Sequence, residues 1–497
     1  MLRAISRRLF LTSTVASVAG VALADAPGKS YRPQVRPGNA PRAVAKGPES
    51  LIAQAQLGGR VTYAVADVRT GRMLETREET AATPPASVTK AVTALYALAA
   101  LGGAHRFQTR LIATGPVSGG VLQGDLILAG GGDPTLDTNG LARLASVLKQ
   151  SGVREVRGAF RVFDGAMPRI DTIDPAQPVH VGYSPAVSGI ALNFNRVHFE
   201  WKRQSGGYAV TMDARSDRYT PRVYTSTMRV AERRLPTYAY SASGGKDNWS
   251  VARAALGNGG ARWLPVRNPG LYAGDVFQTL ARANGVPLPA PQLTRNAPRG
   301  TAIAAVQSDT LTEICRGMLR FSNNLTAEMV GLAATAKRTG SVPRSLKASA
   351  SEMNRWAGSA LGTKGLRLVD HSGLGSASKV TAEAMLTALL RARQSNALRP
   401  ILKKIPMLDA NRKVIKSHPI DVYAKTGTLN FVSTLAGYMT ARDGTEMAFA
   451  IFTANEAQRR GIAKSERERP TGGRAWNRRS KALQQKLIER WGALYGS

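Results

Sequence analysis

Thr83-Pro84-Pro85-Ala86-Ser87-Val88-Thr89-Lys90-Ala91-Val92-Thr93-Ala94-Leu95 is the stretch on which the reading of the chain turns. The two prolines break regular structure, and from Ser87 onward Val88, Val92, Leu95 and Ala99 recur at the spacing of one helical face. The spacing predicts a helix over 87–101 that opens at Ser87, with Ser87 and Lys90 one turn apart on the same side. Ser-x-x-Lys is a weak signal alone, because it recurs at residues 146–149, 243–246 and 376–379. Two further boxes, Ser322-Asn323-Asn324 and Lys425-Thr426-Gly427, each occur once. The second lies in a helical pattern and the third on a strand, and the ordered set of three is what carries specificity.

The set has a chemical logic. A serine hydroxyl is a poor nucleophile until a base takes its proton. Lys90 can be that base only when neutral, so its pKa must fall from ~10.4 to about 7, a cost of roughly 4 kcal/mol. Burial and a second cation, Lys425, are the available means. Ser322 can relay the proton to the leaving nitrogen, while Asn324 can bond a substrate amide and hold Lys90. Lys425 with the hydroxyls of Thr426 and Thr428 suits a substrate carboxylate, and Gly427 lets the strand backbone approach closely. The N–H groups of Ser87 and Thr428 can form an oxyanion hole, each donor worth about 3–4 kcal/mol in the transition state. Taken singly, each residue also has a plain reading as a helix cap or a solvated charge; taken jointly they point to a nucleophilic serine enzyme.

Outward from the boxes, residues 60–75 read as two strands around a turn at Thr70-Gly71. Residues 106–300 change texture, with strand-like runs at 121–128 and 191–201, Gly-rich turns such as Gly130-Gly131-Gly132-Asp133-Pro134, and one helix near 141–150. They predict a mainly β insertion of one or two subdomains, leaving 47–105 and 301–497 as the two parts of the catalytic domain. From Thr301 to Lys337 the pattern turns helical. Residues 422–428, 433–440 and 447–455 read as three successive strands, and 478–495 as an amphipathic helix.

Sixty-eight basic against thirty-three acidic side chains give the 497-residue chain a formal charge of +35, which calls for an anionic partner or serves solubility. Cys315 is the single cysteine, in an apolar helical pattern, so no intrachain disulfide is expected. The five histidines include no i,i+4 pair, and neither metal nor cofactor is expected. The N-terminus runs from early charges through a short apolar stretch to Ala22-Leu23-Ala24, the pattern of a signal peptide cleaved near Ala24. Ser6-Arg7-Arg8-Leu9-Phe10-Leu11 resembles a twin-arginine signal, ordinary n-region charge being the other reading. Residues 25–46, rich in Pro and Arg, read as a linker, and the protein is expected to work in the periplasm.

With these boxes the sequence resembles the penicillin-binding serine peptidases, and within them the D-Ala-D-Ala carboxypeptidase/endopeptidases of the penicillin-binding protein 4 type, peptidase family S13. The Ser-Asn-Asn form of the second box, the long insertion before it, Gly124-Asp125-Leu126-Ile127-Leu128, Gly132-Asp133-Pro134-Thr135-Leu136 and Asp370-His371-Ser372-Gly373-Leu374 carry the resemblance. It implies an α+β, β-lactamase/transpeptidase-like domain, with a five-stranded antiparallel sheet, helices on both sides and inserted β-rich domains. It also implies an acyl-enzyme on Ser87, inactivation by β-lactams, and peptidoglycan peptides as substrates, with no nucleic acid. Asp171 or Asp174 is implied as the carboxylate that meets a diaminopimelate ammonium. His371 departs from the small residue usual at its position, and narrowing the cleft or facing solvent are its two readings. The Arg-rich residues 456–480 are left between a solvated loop and a wall-polymer contact. A β-lactamase or esterase of the same fold, and a non-enzymatic basic wall-binding protein, are the rival readings; the sequence assigns no Glu as the extra base a β-lactamase needs.

Overall fold

The computed structural model describes residues 46–496. The expected signal peptide (1–24) and, apart from Lys46, the expected linker (25–46) lie outside the described residues.

The catalytic region is built on one sheet whose order is Lys403–Lys404, Asp421–Leu429, Val432–Thr440, Glu446–Ala454, Arg60–Asp67, Met73–Arg77. Every neighbouring pair is antiparallel. This is the expected five-stranded sheet with a two-residue strand added at one edge. Both faces are covered, so its central strands are apolar on both sides, and alternate residues sort between two cores. Ala64, Ala66, Ala436, Tyr438, Ala448, Ala450 and Phe452 face one core, against the helices Thr89–Leu101, Leu311–Phe321, Asn324–Thr339, Leu346–Leu361 and Ala382–Gln394. Tyr63, Val65, Leu435, Met439, Met447, Phe449 and Ile451 face the other, against Pro48–Ala55 and the final helix Gly473–Tyr495. Small residues on the first face let helices lie close to the sheet. On the second, Trp491 fills the space between Tyr63 and Phe449, at 5.5 and 6.1 Å between ring centroids.

Between the first and second boxes the chain forms sheets of its own. The largest has the order Gln292–Thr294, Phe160–Phe163, Leu126–Gly130, Gln108–Ala113, Thr301–Gln307. Two three-stranded sheets follow in the segment from Arg196 to Pro265. The structure changes two sequence expectations here. Thr301–Gln307, expected in the helical part, is a strand antiparallel to Gln108–Ala113. Pro269–Ala283 is a second helix beside Thr138–Gln150, in a region read as having one. Gly270 and Gly274 hide it from propensity. They are there for packing, since a Cβ at Gly274 would stand 2.6 Å from Pro291 Cβ and 2.8 Å from Val162 Cγ2.

Candidate active site

Ser87 sits in a single 3-10 turn, Ala86–Val88, that runs straight into the helix Thr89–Leu101. Ala86, buried, has φ 47°, a left-handed conformation that costs a residue with a Cβ about 1–3 kcal/mol and persists only when its surroundings impose it. Thr434 donates its hydroxyl to Pro85 O at 2.8 Å and anchors the turn to the sheet. A Cβ at Gly427 would lie 3.0 Å from both Ala86 Cβ and Pro85 O, so glycine is what lets the strand Asp421–Leu429 press against the turn that carries Ser87. Ser322 ends the helix Leu311–Phe321 in the left-handed region at φ 58°, and Asn323 caps the next helix by accepting from Thr326 N–H at 3.0 Å. That sharp junction turns Ser322 and Asn324 toward Ser87.

The three boxes meet. Lys90 Nζ lies 3.0 Å from Ser87 Oγ, 2.7 Å from Asn324 Oδ1 and 2.8 Å from Ser372 O. Lys425 Nζ lies 3.0 Å from Ser322 Oγ and 2.6 Å from Thr426 O. Both lysines are buried, and among the described residues neither forms a salt bridge with a carboxylate. Burial pushes the Lys90 ammonium down to about 8, against the pull of Glu328 and Asp370. Burial, then the charges of Lys90 and Lys403, hold Lys425 well below its ordinary value.

A cleft of about 780 Å³ opens over this group. Ser87, Ser322, Asn324, Thr426 and Thr428 line it, with Lys90 and Lys425 behind them. Asn324 Nδ2 donates to Tyr183 O at 2.9 Å, so in this state its donor holds the inserted segment. The two candidate aspartates separate. Asp174 is buried in the cleft wall and accepts from Ala176 N–H at 3.0 Å and Gln177 Nε2 at 2.7 Å. Asp171 is 87% exposed, lies 3.9 Å from Arg169 and is absent from the cleft lining.

His371 neither narrows the cleft nor faces solvent. It is fully buried, with Nε2 2.7 Å from Ser349 Oγ and its ring stacked on Tyr96, and burial pushes its imidazole down to about 3. Gly331 makes room for that ring. Part of the basic segment is neither a free loop nor outer surface, because it walls one end of the cleft. Arg459 donates to Asn430 O at 3.1 Å, Arg467 to Ala176 O at 2.6 Å, and Glu468 meets His180 at 2.7 Å and Arg262 at 2.9 Å. Sequence reasoning missed this wall, and it missed Glu328. The signal for Glu328 was a lone acid among Leu325, Ala327, Met329, Val330 and Leu332, four residues after Asn324 and so on its helical face.

The family model described as D-Ala-D-Ala carboxypeptidase 3 (S13) matches residues 45–470. The D-alanyl-D-alanine carboxypeptidase of Actinomadura sp. (strain R39) is 28% identical over 445 residues, covering 81% of this chain and 79% of that protein. The D-alanyl-D-alanine carboxypeptidase DacB of Haemophilus influenzae is 24% identical over 391 residues, covering 74% and 79%. The crystal structure of penicillin binding protein 4 (dacB) from Haemophilus influenzae superposes with a TM-score of 0.71 at 18% identity, over 88% of this chain and 99% of that one, a likeness of fold.

Proposed function

The chain belongs to the D-Ala-D-Ala carboxypeptidase 3 (S13) family and is a serine carboxypeptidase/endopeptidase of that class; from this premise we propose how its own residues cut a D-alanyl peptide bond of peptidoglycan. Neutral Lys90 takes the proton of Ser87 as Oγ attacks the carbonyl carbon of the penultimate D-alanine. The N–H groups of Ser87 and Thr428 receive the oxyanion. Lys425, with Thr426 and Thr428, holds the terminal carboxylate in the carboxypeptidase reaction. As the tetrahedral intermediate collapses, the proton travels from Lys90 through Ser322 to the leaving nitrogen, and an ester on Ser87 remains. Water then hydrolyses that ester, with Lys90 again receiving a proton. A β-lactam, whose cyclic amide carries a carboxylate at a similar distance, enters the same path and stops at the ester.

The observation that carries this reading is the 3.0 Å approach of a buried Lys90 amine, pushed down to about 8, to the Ser87 hydroxyl. Of the acids lining the cleft, Glu456 is paired with Lys379, and Glu468 with His180 and Arg262. Asp174 is the remaining one, and it meets the ammonium of the stem peptide's diamino acid. We place the enzyme in the periplasm, exported by its N-terminal segment. Among the described residues no helix is long and apolar enough to cross a membrane.

The test is labelling with a fluorescent penicillin followed by mass spectrometry of the digested protein. The adduct is expected on Ser87, and Lys90→Ala is expected to slow its formation by about 10²–10⁴-fold. An adduct elsewhere, or an unslowed Lys90→Ala, contradicts the assignment.

A further inference from the structure

Glu328 lies one turn beyond Asn324 on the helix Asn324–Thr339 and is fully buried, yet the scheme above gives it no part. Its two carboxylate oxygens accept from successive amides, Oε2 from His371 N–H at 3.0 Å and Oε1 from Ser372 N–H at 2.9 Å. The carbonyl of Ser372 is itself the acceptor 2.8 Å from Lys90 Nζ. Asp370, also buried, grips the next stretch, its oxygens accepting from Gly373 N–H at 2.8 Å and Gly375 N–H at 2.6 Å. Two buried carboxylates therefore hold a loop whose contribution at Lys90 is one carbonyl oxygen.

Donor counting shows what that carbonyl does. A neutral primary amine has two N–H donors and one lone pair. Asn324 Oδ1 and Ser372 O accept the two donors, which leaves the lone pair facing Ser87 Oγ, the third neighbour of Lys90 Nζ at 3.0 Å. Were the Ser372 peptide free to rotate, the amine would lose one of the two bonds that fix its direction. A glutamine in place of Glu328 could accept from one amide but would turn its own NH₂ donors on the other.

We propose that Glu328 is a positioning residue for acylation: by fixing the Ser372 peptide it aims the Lys90 lone pair at Ser87, and its charge stabilises the ammonium formed when Ser87 releases its proton. The inference rests on the Ser87–Lys90 reading above. The charged and titratable groups around it are Lys90 from the nucleophile helix and Asp370 and the neutral His371 from the loop, while Lys425 on the sheet interacts with Lys90. Asp174 acts on Asp370 from the inserted segment. Burial and Asp370 push the Glu328 carboxyl up to about 8 while its two amide donors and Lys90 pull it down, and where it is ionised it is among the groups that raise Lys90; removing that charge lets the Lys90 ammonium titrate at lower pH.

The experiment measures the rate of Ser87 acylation by a fluorescent penicillin against pH, for the full chain and for E328Q and E328D, with the adduct located by mass. E328Q is expected to acylate about tenfold to a hundredfold more slowly on its plateau. Its initial, non-covalent penicillin complex should form with unchanged affinity, and the acidic limb of its rate profile should move to lower pH. E328D keeps the charge and is expected to restore the limb, though not the plateau, since the shorter side chain cannot reach both amides. A wild-type rate and limb in E328Q, or a slower rate with an unmoved limb, overturns the proposal. Should E328Q not fold, E328D decides: a slower plateau with unchanged complex formation supports it, and wild-type kinetics overturn it. A wild-type chain that takes no adduct on Ser87 would instead sink the Ser87–Lys90 reading, and the adduct mass tells the two failures apart.

Discussion

In the proposed mechanism Lys90 is a side chain whose use depends on being held without its proton. Buried, with no salt-bridged carboxylate among the described residues and acceptors at 2.7 and 2.8 Å, it keeps its lone pair for Ser87. Arginine at this position would reach similar partners but stay cationic at every accessible pH. Lys90→Arg is therefore expected to acylate about 10²–10⁴-fold more slowly at all pH values, as measured by stopped-flow with a chromogenic β-lactam. Ser87, Lys90, Ser322, Asn324 and Lys425 to Thr428 were legible in the sequence because each box compresses a chemical need into three or four residues. Glu328 was not, because its work is done on the backbone of residues 371–372, and no pattern of side-chain types records a backbone contact. His371 was misread for a related reason. A histidine next to Asp370 looks polar, and only the cavity left by Gly331 shows that it is enclosed.

At the scale of elements, the site depends on how closely a strand approaches a turn. Ala86 keeps its left-handed conformation between Gly373, whose missing Cβ leaves room for Ala86 O, and Gly427 on the strand. Gly427→Ala would drive a methyl into the Thr434 hydroxyl that anchors the turn, and press it against Ala86 Cβ and Pro85 O. It is expected to slow acylation up to about a hundredfold by displacing the turn, and to destabilise the fold by about 1–3 kcal/mol in a denaturant titration. An unchanged rate would mean that strand and turn are not coupled. The three strands from Asp421 to Ala454 and the final helix were readable, because burial on both faces gives continuous apolar runs and the helix keeps a 3.6-residue stripe. Pro269–Ala283 and Thr301–Gln307 were not. The helix carries glycines that packing demands, and the strand is rich in alanine, whose preference for helix was overridden by pairing with Gln108–Ala113.

For the whole molecule, the fold brings together residues 234 and 282 positions apart along the chain, since Lys90 meets both Asn324 and Ser372. The basic segment that had no reading in sequence joins the inserted region to the sheet through Glu468, Arg467 and Arg459, and so shapes the cleft at long range. Of the remaining arginines of the segment, Arg469, Arg474 and Arg478 line a second hollow that shares Asn430, Glu468 and Asn477 with the first. In the proposed mechanism this convergence serves one event, the transfer of a proton from Ser87 to a neutral amine. The most direct measurement is the pH dependence of wild-type acylation by penicillin. Because Lys90 must lose its proton before it can act, and burial places that loss at about 8, the rate is expected to rise with pH and level off above that value. A rate that is flat from acid to alkaline pH, or that falls as the solution is made basic through this range, would contradict the account.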